Sequence, residues 1–230
     1  FRMYDYYKND LLINGGKSKT ADLSLLQQEA YASILFSGTD DPVFKHIIID
    51  EYQDTNTIQE KIFFELSKHT KNICVVGDDD QALYRFRGAT VENLVEFEGR
   101  CQQYLKVKPH RIDLSINYRS KKSVVDFYTD FINRADWERP DKKGFYRVHD
   151  KRIVSHNNDE QKVVFSTEKS NPEDVYNSIA SVVKDLLDNE VVEDENQIAF
   201  LFPYLKGSTR VEGLKNALDN YDIKVYAPRA

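Results

Sequence analysis

Two adjacent carboxylates, Asp50 and Glu51, stand where a short apolar run of the sequence ends. The run, residues 46–49, is rich in β-branched side chains and predicts a strand, and ligands of α/β proteins bind at such strand ends. In a nucleotide hydrolase, Asp50 could hold Mg²⁺ directly or through water, while Glu51 orients and deprotonates the attacking water. The alternative is that the pair caps the helix predicted to begin near Asn56. On these residues alone the two interpretations carry equal weight.

Two further polar motifs accompany this pair along the chain. GDDDQALYRFRGA, residues 77–89, follows a second continuous apolar run, and LSINYRS occupies residues 114–120. Together with IIIDEYQDTN at residues 47–56, they resemble the Walker B motif, the following coupling motif and the next motif of the UvrD, Rep and PcrA group of superfamily 1 DNA helicases. Residues 198–218 are more loosely similar to the opening of the second motor domain of that family.

The resemblance implies roles for residues that would handle ATP and Mg²⁺. Asp50 would bind Mg²⁺, and Glu51 would be the catalytic carboxylate. Gln81 would sense the γ-phosphate and link hydrolysis to DNA movement, a role suited to an amide that both donates and accepts hydrogen bonds. Tyr118 would stack on the adenine, and Arg119 would reach the γ-phosphate as an arginine finger. The alternatives are a turn or cap at Gln81, and a helix cap formed by the NYRS residues.

The resemblance also implies a surface for single-stranded DNA. Tyr84 and Phe86 match aromatic positions on which bases stack, at about 1 to 3 kcal/mol per base. Many family members have tryptophan where Phe86 stands, so the stacking area is smaller in this chain. Arg87, like Arg85, could contact phosphate or stabilise the acidic cluster at residues 78–80, and the sequence leaves both roles open. The alternative for the rings is ordinary core packing.

A phosphate-binding loop is the part of the pocket that the sequence does not supply. GGKS at residues 15–18 lacks the required pattern, because Leu11 occupies the position that needs the first glycine. We expect Lys17 and Ser18 to lie in a polar turn. The isolated chain is therefore expected to hydrolyse ATP poorly or not at all.

Apolar runs at residues 46–49, 72–76, 111–116, 163–166, 198–202 and 223–226 predict strands, and they alternate with segments of helical spacing, one of which begins at the Asn171-Pro172 pair. This alternation predicts an α/β fold. With the resemblance, the prediction becomes RecA-like parallel sheets flanked by helices, in parts of two motor domains. Residues 1–117 would be the C-terminal part of the first, and residues 118–230 the N-terminal part of the second. Residues 134–158 show little periodicity. Their basic stretch, residues 139–152, could follow a DNA backbone but is better explained as a solvated linker.

Composition excludes several classes of protein. Apolar residues make up 40% of the chain and charged residues 30%, which is typical of a globular protein. A net charge of −6 argues mildly against nucleic acid. Cys74 and Cys101 suggest packing residues rather than a disulfide framework or zinc site. No apolar run is long enough to span a membrane and no signal pattern is present, so a cytoplasmic location is expected. The chain, which starts at Phe1, looks like an excerpt of a longer protein.

The function implied by the resemblance is an ATP-dependent DNA helicase or translocase, moving 3′ to 5′ on single-stranded or tailed duplex DNA, with ATP and Mg²⁺ as cofactors and DNA-repair proteins as candidate partners. Two alternatives remain open from the sequence. One is the helicase subunit of a helicase–nuclease complex. The other is a remnant without ATPase activity that binds single-stranded DNA or a protein.

Overall fold

The computed structural model describes residues 22–37, 44–159, 161, 163–168 and 170–226, so the GGKS segment lies outside the described residues. The chain forms two compact units, Phe1–Gln161 and Lys162–Ala230. The boundary between these units, at 161/162, falls later in the chain than the predicted division between motor domains at 117/118. That division stays a prediction. Among the described residues, no helix combines the length and apolarity that crossing a bilayer requires.

Helices and short strands alternate in the first unit. In chain order they are α1 (Leu23–Ser37), β1 (Ile47–Ile49), α2 (Thr57–Ser67), β2 (Ile73–Val75), α3 (Glu92–Val95), α4 (Phe97–Leu105), β3 (Ile116–Asn117), α5 (Lys122–Ile132) and β4 (Val154–Ser155). The second unit contains α6 (Pro172–Asp188) and α7 (Thr209–Asp219). Single 3₁₀ turns lie at Tyr52–Asp54, Asp79–Gln81, Arg85–Arg87 and Glu195–Gln197.

The strands of the described residues form two parallel pairs, β1 with β2 and β3 with β4. Ile47 pairs with Ile73 in the first, and Ile116 pairs with Val154 in the second. Parallel neighbours need a crossover connection, which α2 supplies between β1 and β2. The combination of helices and parallel strands confirms the α/β class, although the sheets are small.

Several predicted strands are absent or shortened. The run at residues 111–116 contributes only its last residue to β3, and the apolar runs at 163–166, 198–202 and 223–226 form no strand. A strand needs a neighbouring ladder to satisfy its backbone groups, whereas an apolar run by itself indicates only burial. Side chains of the 198–202 run instead pack on the helical core of the second unit.

Each unit has its own small core. In the first, Phe64 of α2 packs with Cys101 and Leu105 of α4. In the second, α6, α7 and the residue Ile223 that follows them form a core of six buried residues, Ala180, Val183, Leu214, Ala217, Leu218 and Ile223. Local signals define α6, because Pro172 occupies its first turn and the Asn171 side chain accepts a hydrogen bond from the Asp174 amide.

The basic stretch 139–152, which lies within the segment 134–158, is not the solvated linker that its composition predicted. The Trp137 Nε1 group donates to the Ile132 carbonyl at 2.8 Å, which fastens the segment to the end of α5. Arg139 is paired with Glu96 at 2.8 Å and is mostly buried. The chain turns back on itself between Arg139 and Gly144, and the Gly144 carbonyl accepts a hydrogen bond from the Arg139 backbone amide at 2.8 Å. Long-range polar contacts thus give order to a segment without hydrophobic periodicity.

Candidate functional site

The ends of β1 and β2 bring the two acidic motifs side by side. The Val76 amide donates to the Ile49 carbonyl at 2.8 Å, and the Tyr52 amide donates to the Val76 carbonyl at 2.9 Å. Because β1 and β2 are parallel, the segments that follow them leave the sheet at the same edge. The structure therefore places the 50–51 pair next to the turn that begins at Gly77.

Asp50 and Glu51 are both exposed at this edge. The Asp50 Oδ1 atom accepts a hydrogen bond from the Glu51 amide at 2.9 Å. Glu51 has φ 49° and ψ 43°, a left-handed conformation that is costly for a residue with a Cβ atom and is concentrated at functional sites. Neither acid caps α2, since the Asn56 side chain accepts hydrogen bonds from the Ile58 and Gln59 amides. The capping alternative is thus wrong.

Gln53 is a residue to which the motif analysis assigned no role. Its side chain is 1% exposed, its Nε2 group donates to Glu51 Oε2 at 2.6 Å, and its Oε1 atom accepts the Asp78 amide at 3.1 Å. The amide therefore joins the two motifs. Its position two residues after Glu51, at the predicted end of a strand, was the available signal.

Gly77 makes room for this link. A Cβ atom at Gly77 would lie 2.7 Å from Gln53 Oε1, 3.0 Å from Leu94 Cδ2 and 3.3 Å from the Tyr52 nitrogen. The first distance is shorter than any ordinary contact, and the last involves backbone that cannot rotate away. Glycine is therefore required sterically, at a position without positive φ.

The sheet edge that carries Asp50, Glu51 and Asp54, which we call the acidic edge, fits a magnesium ion in its donor chemistry. Mg²⁺ is bound through one or two carboxylates together with substrate phosphates and waters rather than by an all-protein cage. Asp50 offers an exposed carboxylate, and Asp54 has a buried Oδ1 atom without a hydrogen-bond partner in the described part of the chain. Burial, followed by the charge of Glu51, raises the pKa of Asp54. Among the described residues, no group of three or more His, Cys, Asp or Glu side chains is arranged so that it could hold a metal ion.

Gln81 ends the 3₁₀ turn that follows Gly77. Its Nε2 group donates to Asp78 Oδ2 at 2.8 Å, and the side chain is exposed at the edge of the sheet. A series of hydrogen bonds therefore runs from Glu51 through Gln53 and Asp78 to Gln81. The described structure thereby brings together two of the residues to which the resemblance assigned ATP chemistry.

Tyr84, Phe86 and Arg87 form an exposed cluster, which we call the aromatic cluster. The two ring centroids are 6.2 Å apart, and Phe86 is 78% exposed. The Arg87 guanidinium carbon lies 5.1 Å from the Tyr84 ring centroid and 5.4 Å from that of Phe86. The core-packing alternative is therefore wrong for these rings, which lie at the surface beside a positive charge.

Tyr118 and Arg119 lie beside the second sheet. The Asn117 Oδ1 atom accepts the Arg119 and Ser120 amides at 3.0 and 2.8 Å, so Asn117 shapes a turn rather than capping α5. The exposed Tyr118 ring contacts His156, with 4.8 Å between centroids. Within the described residues, no hydrogen bond or ion pair connects Tyr118 or Arg119 to Asp50 or Glu51. The sequence did not indicate His156.

The acidic cluster Asp78, Asp79 and Asp80 is neutralised from a distant part of the chain. Lys151 Nζ binds Asp78 Oδ1, lies 2.8 Å from Asp79 Oδ1 and lies 2.9 Å from Asp80 Oδ2. Arg147 donates to both oxygens of Asp80, at 2.6 and 3.1 Å. We call these five residues the acid–base clamp. Arg85 and Arg87 do not contact the acids, so that sequence interpretation is wrong; Arg85 pairs with Glu92 at 3.3 Å.

Comparison with known proteins gives the motifs a family context. Residues 40–102 match the model of the UvrD/REP helicase N-terminal domain. The chain is 39% identical over 106 residues to the ATP-dependent DNA helicase PcrA of Staphylococcus epidermidis strain RP62A, and 38% identical over the same length to PcrA of Staphylococcus aureus strain NCTC 8325. Each match covers 46% of this chain and 14% of the relative, so the chain matches about a seventh of their length. The matched family residues include the acidic edge, Gln81 and the aromatic cluster.

Proposed function

From the match of residues 40–102 to the UvrD/REP helicase N-terminal domain, we propose that the chain is part of an ATP-dependent DNA helicase or translocase. It would couple hydrolysis of Mg-ATP to movement along single-stranded DNA, in the 3′-to-5′ direction that the family resemblance implies. The observation that carries the proposal is the hydrogen-bonded series from Glu51 through Gln53 and Asp78 to Gln81. It connects a water-activating carboxylate with an amide suited to sense the γ-phosphate.

Each polar residue of the site has a role in this proposal. Asp50 would hold Mg²⁺, and Glu51 would orient the attacking water and accept its proton. Bound Mg²⁺ would neutralise charge on the phosphates. Gln81 would donate to the γ-phosphate once its hydrogen bond to Asp78 is exchanged. Tyr118 would stack on the adenine, and Arg119, whose guanidinium pairs with no carboxylate among the described residues, would bind the γ-phosphate.

The aromatic cluster would provide the contact with DNA. Tyr84 and Phe86 are exposed aromatic residues, and stacking on any base would give binding without sequence preference. Arg87 lies over both rings and adds a positive charge for the phosphate backbone. Because the cluster begins three residues after Gln81, a conformational change in this short segment would link DNA binding at the cluster to the nucleotide at Gln81. A single-stranded or tailed duplex is the proposed substrate, in the cytoplasm and with repair proteins as partners.

The division into motor domains at 117/118 is part of the same proposal. ATP would bind between the domains, and alternating closure of that cleft would move the motor along the strand. Because the pattern of a phosphate-binding loop is absent from these 230 residues, the isolated chain should show no measurable ATP turnover. Turnover by the isolated chain that depends on Glu51 would contradict this.

The decisive experiment measures ATP hydrolysis by the longest native polypeptide containing this segment, with and without single-stranded DNA. A Glu51→Gln variant is compared with Glu98→Gln, which alters an exposed glutamate whose ion pair in the described structure is with the exposed Lys108. DNA-stimulated turnover that is lost in Glu51→Gln and kept in Glu98→Gln supports the motor. A folded wild-type protein without turnover would contradict it and would favour the DNA-binding remnant.

A further inference from the structure

Resting on the proposed function, we propose that Lys151 and Arg147 are positioning residues for Gln81, so that stimulation of ATP turnover by DNA depends on the acid–base clamp. The clamp joins the turn 78–81 to side chains 67 to 73 positions later in the chain. Neither cation belongs to a motif, and in the described part of the chain their ion pairs are with Asp78, Asp79 and Asp80.

Electrostatics explains why the turn needs these cations. Asp79 and Asp80 have side chains only 3% and 16% exposed, so two neighbouring carboxylates are largely removed from water. Such charges repel one another and are costly unless they are paired and hydrogen-bonded. Lys151, itself 13% exposed, contacts all three acids, and the Val148 amide donates to Asp79 Oδ2 at 2.7 Å. Without the cations, the turn would have to open to water.

Asp78 connects the clamp to Gln81. One carboxylate oxygen of Asp78 binds Lys151, and the other accepts a hydrogen bond from the Gln81 side-chain amide at 2.8 Å. The Asp78 backbone amide donates to the Gln53 side chain. Lys151 is therefore one side chain away from Gln81 and two away from Glu51. Loss of Lys151 leaves the Asp78 carboxylate with hydrogen bonds from the Asp80 backbone amide and the Gln81 side chain but without its cation, which changes both the position of the Gln81 side-chain amide and its freedom to leave Asp78.

The clamp also links the two proposed motor domains. On the proposed division at 117/118, the acids belong to the first domain and the cations to the second. A movement that closes the cleft would then act on the turn through Arg147 and Lys151. This explains why the contact is built from charges at a distance in sequence rather than from neighbours within the turn.

Hydrogen exchange on the 230-residue chain tests the clamp without ATP. Lys151→Met and Arg147→Met are compared with Arg152→Met, which removes an exposed charge from the same segment that pairs with no acid in the described structure. We expect amide exchange of residues 79–83 to rise about tenfold in the first two variants and to stay unchanged in the third. Lys151→Arg should restore most of the protection. Equal exchange in Lys151→Met and wild type would overturn the clamp.

Turnover in the longest native polypeptide tests the coupling role. Lys151→Met should lower the DNA-stimulated kcat about tenfold while DNA-free turnover and the KM for ATP change less than about twofold, because positioning and not binding is lost. Unchanged stimulation overturns the coupling role alone. A parallel loss of basal and stimulated turnover that Lys151→Arg does not rescue also overturns it, since that indicates a merely structural role. Absence of turnover in the wild type overturns the proposed function, and the exchange experiment still judges the clamp.

Discussion

Gln53 donates a 2.6 Å hydrogen bond to the Glu51 carboxylate from a position where its own side chain is almost fully buried. A buried amide has a fixed orientation, whereas the exposed glutamate by itself does not. The bond therefore holds the proposed catalytic carboxylate against the turn that carries Gln81. The first prediction concerns this amide.

Gln53→Leu should lower DNA-stimulated kcat in the longest native polypeptide by about 10- to 100-fold, because a displaced carboxylate loses the geometry that proton transfer requires. The substitution keeps a similar volume but removes the donor to Glu51 and the acceptor for the Asp78 amide. Steady-state hydrolysis is the measurement, and Gln102→Leu on the exposed side of α4 is the control. A kcat within twofold of wild type would show that Gln53 does not position Glu51.

Gly77→Ala should destabilise the first unit by about 1 to 3 kcal/mol, the usual cost of forcing a methyl group into a packed site. The added Cβ would meet Gln53 and the Tyr52 backbone. Gly99→Ala is the matched control, since nothing lies within 4 Å of its Cβ position on α4. That change should stabilise the helix by about 0.5 to 1 kcal/mol. Urea unfolding distinguishes the two; equal effects would contradict the close approach at Gly77.

Local sequence signals account for the parts of the fold that were predicted correctly. The β-branched run before Asp50 and the Asn171-Pro172 pair mark a strand and a helix start through interactions of neighbouring residues. The clamp has no such signal, because its ions are 67 to 73 residues apart and a charged loop resembles a linker in composition. Gln53 was overlooked for a similar reason, since one amide inside an acidic motif does not reveal its partners.

Gly213→Ala should destabilise the second unit even though alanine favours helices. A Cβ atom there would lie 2.4 Å from Tyr176 Cε2, at the contact between α6 and α7. We expect a cost of about 1 to 3 kcal/mol in urea unfolding. A double-mutant cycle with Tyr176→Ala provides the control, because removing the ring should remove most of the penalty at Gly213. Additive effects of the two changes would show that this contact is not the cause.

The two cysteines should differ sharply in reactivity toward a thiol reagent at about pH 8. Cys74 is exposed, which corrects the expectation that it is a packing residue. Cys101 is buried, and burial, followed by the charge of Glu60, raises its pKa to about 11. The thiolate is the reactive form, so one thiol of the folded chain should react rapidly and the second should react only on unfolding. Cys74→Ser should abolish the rapid phase, and two rapid equivalents in wild type would contradict the burial of Cys101.

The stability supplied by the acid–base clamp should depend on pH in a defined direction. Burial acts to raise the pKa of Asp78, but hydrogen bonds from Lys151 and Gln81 outweigh it and hold the pKa below the ordinary value of 3.8. A carboxyl with a lowered folded pKa stabilises the fold above its unfolded pKa, and this contribution is lost as the pH falls through the folded pKa. Burial acts to lower the pKa of Lys151, but its hydrogen bonds to the three acids raise it above 10.5. The lysine contribution is therefore full below 10.5 and is lost only as the pH rises through the raised value.

The stabilising contributions of Asp78 and Lys151 are both full between pH 3.8 and pH 10.5. The difference in unfolding free energy between wild type and Lys151→Met should therefore be constant through the neutral range. It should shrink as the pH falls below 3.8, because protonated Asp78 no longer needs the ammonium group. Chemical denaturation at a series of pH values measures this difference, with Arg152→Met as a control that should differ little from wild type throughout. A difference that grows in acid would mean that Lys151 does not stabilise the ionised form of Asp78. Lys151 and Arg147 would then have to hold the turn by packing of their side chains rather than by charge.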